Sequence, residues 1–403
     1  MIQRGHTANK PVSRKDAKVQ RRNSPFCFVL CVFAPLRLCV KLLAEKTRFW
    51  ALVSQRLDLT PYIICSSVTS VLNRSWHIVL QNVLRTTIVI LLLSLIAFAT
   101  IRYAPPFGDW QRMSGEPIMR PRGNDFESAG VFNPAVVKRG NQFVMLYRAQ
   151  DKNGTSRLGY ATSSDGIEFN RRAVPVMEPA TNYERDGGLE DPRLVKINDT
   201  YYLTYTGYNK KDAQLCLATS TNLINWERQG VILPAYKGRW NVGWTKAGAM
   251  LSQKINGKYW MYFMGDADKR PNQMGVAYSD DLVHWIEPLD RPVLERRPGY
   301  FDSYVVEPGP PPVMTRDGIL MVYNGANDRT VYATGWVLFD KNDPTKVLAR
   351  SEKPIFSAQK EWEKTGQVPN VVFVQGMVRD GNRWLFYYGG ADKYIGVAVA
   401  PAR

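Results

Sequence analysis

From Pro117 to the C-terminus the chain alternates apolar and polar residues in short bursts, each bounded by Gly, Asn or Asp. A period of two predicts antiparallel strands rather than helices. One burst recurs five times as an aromatic strand behind a turn residue. It reads QFVMLYRA near Gly140, DTYYLTYTG after Asn198, KYWMYFMG after Gly257, ILMVYNG after Gly318 and NRWLFYYGG after Gly381. Those turn residues stand 58, 59, 61 and 63 residues apart. A second echo follows in three repeats: YATSSDGIEF from Tyr160, LATSTNLINW from Leu217 and VAYSDDLVHW from Val276. A unit of this length is too long for a solenoid repeat and fits one four-stranded blade. The pattern therefore predicts an all-β fold, a five-bladed β-propeller over 115–403, with a two-sheet sandwich as the alternative. Trp226 and Trp285 hold matching repeat positions, as expected of blade packing rather than of a sugar platform.

The first part of the chain reads differently. Residues 1–82 mix basic clusters (Arg14, Lys15, Lys18, Arg21, Arg22) with a short cysteine-bearing apolar run at 26–40 and show no sustained period. They are expected to be a basic disordered tail or a translated extension ahead of the true start codon. Residues 86–101 carry no charge, follow Arg85 and include Ala97-Phe98-Ala99. A basic residue, an apolar stretch and a small-x-small ending predict a signal peptide or membrane anchor over 83–103. The stretch is slightly short of the ~20 residues of a spanning helix, and a buried core helix is the alternative. The expectation is an exported protein, periplasmic or anchored outside the cytoplasm, with 104–114 as a linker.

Charge narrows the partners. The chain carries a net +17. Residues 1–112 hold 16 of the 53 Lys and Arg but 4 of the 36 Asp and Glu, a net +12, leaving +5 on 113–403. A strand-rich domain so nearly balanced is not expected to bind nucleic acid. Its only histidine is His284, which excludes a multi-histidine metal cluster and leaves a Ser-His-Asp or Cys-His site only if His284 is the base. Four of the five cysteines (Cys27, Cys31, Cys39, Cys65) precede the repeats, and Cys216 stands alone among them, so no disulfide framework is expected. Carboxylates, arginines and aromatics must carry the chemistry, without metal or cofactor.

The strongest break in the apolar pattern is GGLEDPRL at 187–194, where Glu190, Asp191 and Arg193 fall within four residues. Such a cluster beside a strand suggests an active-site edge; a surface salt-bridge group is the alternative. Here the sequence resembles glycoside hydrolase family 130, inverting β-mannoside phosphorylases and β-mannosidases. The likeness runs through most of 125–400. It is carried by FNPAVV around Asn133, Tyr147-Arg148, GLEDPR at 188–193, GPPPV at 309–313, LFDKNDPTKVLAR at 338–350, GQVPNVVFVQG at 366–376 and YYGGAD at 387–392. The resemblance implies a five-bladed fold and Asp191 as proton donor, acting through a hydroxyl of the bound mannose. It also implies that Asn133, Arg148 and Asp392 hold the sugar, and Glu190, Arg193 and Lys246 complete the expected substrate-binding set.

The two branches of that family differ in the nucleophile. Phosphate needs a cluster of cations, and guanidinium forks serve it better than a lone lysine. Aligned with the family, Lys246 stands where an arginine is expected, and Phe263 and Met264 stand where a His-Arg pair would be. Acids are found instead: Asp266 in MGDAD and Glu307 before the GPPPV motif. Inverting hydrolysis needs a carboxylate that activates water opposite the proton donor. Glu307 is the expected base and Asp266 its helper; pairing of Glu307 with Arg297, and a turn role for Asp266, are the alternatives. The reading is an inverting β-mannosidase acting on mannosides or manno-oligosaccharides. Its rivals are a β-mannoside phosphorylase releasing mannose 1-phosphate and a non-catalytic sugar-binding propeller. Loops 208–214 and 234–247 are expected to decide linkage, and the sequence leaves the oligomeric state open.

Overall fold

A computed structural model describes residues 81–89, 103–267 and 272–403. The chain divides into two compact units, Met1–Ile101 and Arg102–Arg403. In the first, residues 81–89 are helical and largely exposed, with the Thr86 and Thr87 hydroxyls donating to carbonyls one turn back. Among the described residues no helix is long and apolar enough to cross a membrane. The N-terminal cysteines, the basic tail and most of the expected leader lie outside the described residues.

The second unit is all-β and follows the repeat. Blade one comprises Gly130–Arg139, Gln142–Gln150, Ser156–Ser163 and Asn170–Arg171. Blade two comprises Gly188–Ile197, Thr200–Tyr208, Ala213–Ser220 and Glu227–Leu233. Blade three has Thr245–Met250, Tyr259–Asp266 and Asn272–Ser279, its outer edge reduced to isolated bridges of Tyr278 with Ile286 and Met274 with Leu294. Blade four pairs Val305–Pro308, Ile319–Ala326, Tyr332–Phe339 and Val347–Arg350. Blade five joins Val372–Asp380, Arg383–Gly390 and Tyr394–Pro401 to a strand from far upstream, Gln111–Arg112.

That last strand closes the ring and corrects the expected linker. Residues 104–114 belong to the propeller: Phe107 is buried, Trp110 stacks on Phe386, and Arg112 is bound to Glu363 at 2.6 Å. The core is divided among the blade interfaces. One apolar cluster unites blades one and two (Leu146 and Leu158 with Leu194 and Leu203), and a comparable one lies at each of the other four junctions. The aromatic strands read as continuous apolar runs because both their faces are covered by neighbouring blades. Trp226 and Trp285 pack into two of these clusters, as expected.

A polar lock repeats inside four blades. Tyr147, Tyr205, Tyr323 and Tyr388 each donate a hydroxyl proton to a buried acid, respectively Glu127, Glu184, Asp302 and Glu363. An arginine from the blade's outer strand closes each acid: Arg171, Arg228, Arg350 and Arg112. Each tyrosine ring lies opposite a small residue of the next strand. Under Tyr147 this is Gly159, where a Cβ would come within 2.3 Å of the ring. These acids are fully paired, as buried charges must be.

Candidate active site

The innermost strands carry a recurrent irregularity. Register shifts fall between Phe132 and Ala135, Glu190 and Arg193, Lys246 and Ala249, and Val374 and Gly376. A bulge bends the strand and re-aims its side chains. At three of these bulges one residue turns to positive φ: Asn133 (49°), Asp191 (51°) and Ala247 (57°). Asn and Asp tolerate this left-handed backbone better than most residues. Blade five delivers Asp392, itself at φ 49°, from the hairpin after Arg383–Gly390.

These side chains surround a cavity of about 570 Å³. The three expected catalytic residues, Asp191, Asp266 and Glu307, all line it, as do Asn133, Arg148, Lys246 and Asp392. Glu307 is the penultimate residue of the inner strand of blade four, facing Asn324 in register. It does not pair with Arg297, which is committed to Asp302 at 2.8 Å. Asp266 closes the aromatic strand of blade three and is buried at its end.

Two expected ligands of the substrate prove to be supports. Glu190 is buried behind the wall, where it binds Arg148 at 2.5 Å and Lys246 at 3.4 Å and holds both cations at the cavity. Arg193 is corrected outright. It is 1% exposed and donates to the carbonyls of Gly309 (3.0 Å), Pro308 (2.7 Å) and Asp191 (3.0 Å), so it reaches no substrate. Its guanidinium ties the strand of Asp191 to the end of the strand that carries Glu307. Gln375 works similarly, bridging Asn133 and the Pro192 carbonyl.

Burial and charge set the ionisation of the cavity. Burial pushes the Glu307 carboxyl up to about 7, aided by Asp191 and opposed by Arg193 and Lys246. Burial also lifts Asp392 to about 6, against the pull of Arg148. Burial disfavours the charge on Lys246, but Glu190 and Asp191 outweigh it and hold the ammonium above its ordinary value. Arg148 donates to Ser156 at 2.8 Å and stands 3.8 Å from Asp191. The arrangement gathers four carboxylates around one space, with its two nearest cations already engaged by a fifth.

Aromatic residues complete the wall. Tyr236, Trp244, Tyr304, Tyr332 and Phe373 line the cavity. The hydroxyl of the half-buried Tyr332, raised well above its ordinary value first by burial, feels Glu307, Asp392 and Asp191. None of these stood out in the sequence: they lie outside the charged motifs, and neither an aromatic residue in a strand (Tyr332, Phe373) nor one in a loop (Tyr236, Trp244, Tyr304) carries a mark of its orientation. Loop 234–247, expected to matter for specificity, supplies Tyr236 and Trp244. Other nucleophile chemistry finds no support. His284 is exposed and bound to Asp281 at 2.6 Å, and burial pushes the Cys216 thiol up to about 12. Among the described residues no group of acids, His and Cys is placed to hold a metal ion.

Residues 112–403 match the family model Glyco_hydro_130, described as beta-1,4-mannooligosaccharide phosphorylase. A 1,2-beta-oligomannan phosphorylase of Thermoanaerobacter sp. (strain X514) is 42% identical over 300 residues, 72% of this chain and 96% of that protein. A glycosyl hydrolase from Bacteroides ovatus has a solved structure of TM-score 0.67 and 36% identity, covering 75% of this chain and 98% of that one. A further structure, also of TM-score 0.67 and with 35% identity, covers 75% and 98%. It is described as "The GH130 family of mannoside phosphorylases contains glycoside hydrolases that target beta-1,2 mannosidic linkages in Candida mannan".

Proposed function

The chain belongs to glycoside hydrolase family 130, and from that premise we propose that it cleaves β-1,2-linked manno-oligosaccharides with inversion, using water as the acceptor. One observation carries the choice of acceptor: Asp266 and Glu307 both line the cavity that holds Asp191. Asp191 supplies the proton to the leaving oxygen through a mannose hydroxyl, and Glu307, assisted by Asp266, draws a proton from the attacking water. A base with its pKa near neutrality is suited to that task. Asn133, Arg148 and Asp392 grip the sugar, and Tyr236 and Trp244 offer apolar faces to it.

Phosphorolysis is the second reading, and the names of the curated relatives, phosphorylases of β-1,2-linked substrates at 42% and 36% identity, favour it over hydrolysis. Arg148, Lys246 and Lys211 would then receive phosphate. Against it, the first two are already bound by Glu190, and a phosphate dianion would face Asp191, Asp266, Glu307 and Asp392. Phe263, where the phosphorylase pattern has a histidine, is buried in the core, and Met264, where it has an arginine, lines the cavity without charge. Incubation with β-1,2-manno-oligosaccharides, with and without inorganic phosphate, separates the two. Free mannose at a phosphate-independent rate supports hydrolysis; mannose 1-phosphate formed only with phosphate replaces it with phosphorolysis. Unchanged sugar in both arms, with binding intact in Asp191→Asn, would leave a sugar-binding propeller. Export through 83–103 is part of the proposal, and cell fractionation checks it.

A further inference from the structure

Blade three breaks the lock that the other four share. Ser163, Ser220 and Ser279 close equivalent turns, each accepting from backbone amides two and three residues on. Eight residues after each serine stand Arg171, Arg228 and, in blade three, Glu287. The tyrosine of the lock is replaced by Phe263, whose ring lies opposite Gly275 as Tyr147 lies opposite Gly159. The acid is replaced by Asn241, fully buried at the head of the inner strand. Acid, tyrosine and arginine have become amide, phenyl and acid.

The new pair is self-contained. With its amide nitrogen facing the carboxylate, Asn241 donates to both Glu287 oxygens, at 3.1 and 3.2 Å. The Trp240 indole also bonds Glu287, and among the described residues the charged group acting on it is Arg239, itself bound to Asp290 at 2.8 Å. Burial pushes the Glu287 carboxyl up to about 7 against the pull of Arg239 and Trp240.

The pair is wired to the cavity by close packing. A Cβ at Gly265 would come within 2.6 Å of Asn241 and 2.8 Å of Trp240, so both residues press directly on the strand that ends in Asp266. Two residues on, Gly243 donates to the Asp266 carbonyl at 2.8 Å and accepts from the Tyr236 amide at 2.7 Å. Asp266 donates in turn to the Trp244 carbonyl at 3.1 Å. Segment 236–244, which contributes Tyr236 and Trp244 to the wall, is thus anchored through Asn241 to Glu287.

We propose that Asn241 and Glu287 are positioning residues that hold the 236–244 wall against Asp266, and that ionisation of Glu287 loosens this wall. The neutral carboxyl keeps its half-buried place once the Asn241 amide turns its oxygen to accept the acid proton; the ionised one accepts from the amide nitrogen and the Trp240 indole but has no lock arginine bonded to it, only the pull of Arg239, and draws water toward itself. The inference rests on the reading of this cavity as the substrate site, but not on which acceptor attacks.

Tryptophan emission tests it without turnover, because Trp240 and Trp244 report on the wall. In the wild type the emission should titrate between pH 5 and 9 with a midpoint near 7, and Glu287→Gln should abolish that transition. Asn241→Asp, which sets a second acid against Glu287, should raise the midpoint by at least about one unit. KM for a manno-oligosaccharide should rise several-fold from pH 6 to 8.5 in the wild type and clearly less in Glu287→Gln, where only the cavity acids Asp392 and Glu307 still titrate. A transition that persists in Glu287→Gln, a midpoint unmoved by Asn241→Asp, or identical KM profiles would overturn the proposal. Loss of turnover with the emission transition intact would instead count against the reaction assigned to the site.

Discussion

At the residue scale, the proposed hydrolysis turns on Glu307. A general base contributes roughly 10²–10⁴ in rate, so Glu307→Gln should lower kcat by about that factor while the sugar still binds. A general base acts ionised, and burial holds the Glu307 carboxyl up to about 7. The rate should therefore rise with pH through about 7, and a kcat/KM profile of the wild type checks this; a profile already flat at pH 5 would remove Glu307 from the role. Asp191 was legible because its charged cluster interrupts an apolar strand, whereas Asp266, Glu307 and Asp392 were picked out only through the family resemblance. Arg193 was misread for a definite reason. Residues 191 and 193 share a face in a regular strand, but the bulge at Asp191-Pro192 breaks the alternation and turns Arg193 inward to the Pro308 and Gly309 carbonyls. Arg193→Met would leave these buried acceptors unpaired, costing about 1–3 kcal/mol for each. Thermal unfolding should register that loss, together with a fall in kcat as Asp191 and Glu307 lose their common tether.

At the element scale, the tyrosine–acid–arginine lock makes each of four blades a unit. Glu184 accepts from Tyr205 (2.8 Å), Arg228 (2.9 Å) and the Ala180 amide (2.8 Å) at complete burial. Burial alone would raise its carboxyl, but Arg228 and these donors hold it below the ordinary glutamate value. A carboxyl depressed in the folded state contributes stability above its unfolded pKa and loses it as pH falls through the folded one. Glu184→Ala breaks a buried pair and should cost about 3–5 kcal/mol at pH 7. The deficit relative to wild type should shrink toward pH 3, and denaturant melts at both pH values measure it. A deficit independent of pH would show that packing, not charge, holds the lock. The tyrosines were visible as part of the aromatic repeat, but the lock was not. Its acids precede their tyrosines by 20, 21, 21 and 25 residues, through loops of different length, so no fixed spacing announced them.

At the scale of the whole molecule, five repeats form a ring only if the last blade meets the first, and residues 103–112 make that closure. Five aromatic strands at a constant period made the blade number readable. The closure was not readable: a two-residue strand has no alternation to detect, and Pro105-Pro106 ahead of it looks like linker chemistry. Its energetic weight follows from what it buries. Removing Phe107 from its contacts with Trp110 and Phe386 should cost about 3–5 kcal/mol, the range for a large buried aromatic. Removing Arg112 leaves Glu363 buried without its cation, a further cost of about 3–5 kcal/mol. Against a domain stability of about 5–15 kcal/mol, either loss is serious and both together approach unfolding. A protein beginning at residue 115 should therefore melt at least about 10 °C below one beginning at 103, or fail to fold. Equal melting temperatures would mean that the ring is held by its blade-to-blade apolar clusters alone. A single replacement, Arg112→Met in the longer protein, divides the effect. If it reproduces about half of the loss, the ion pair to Glu363 and the aromatic plug of Phe107 and Trp110 share the closure.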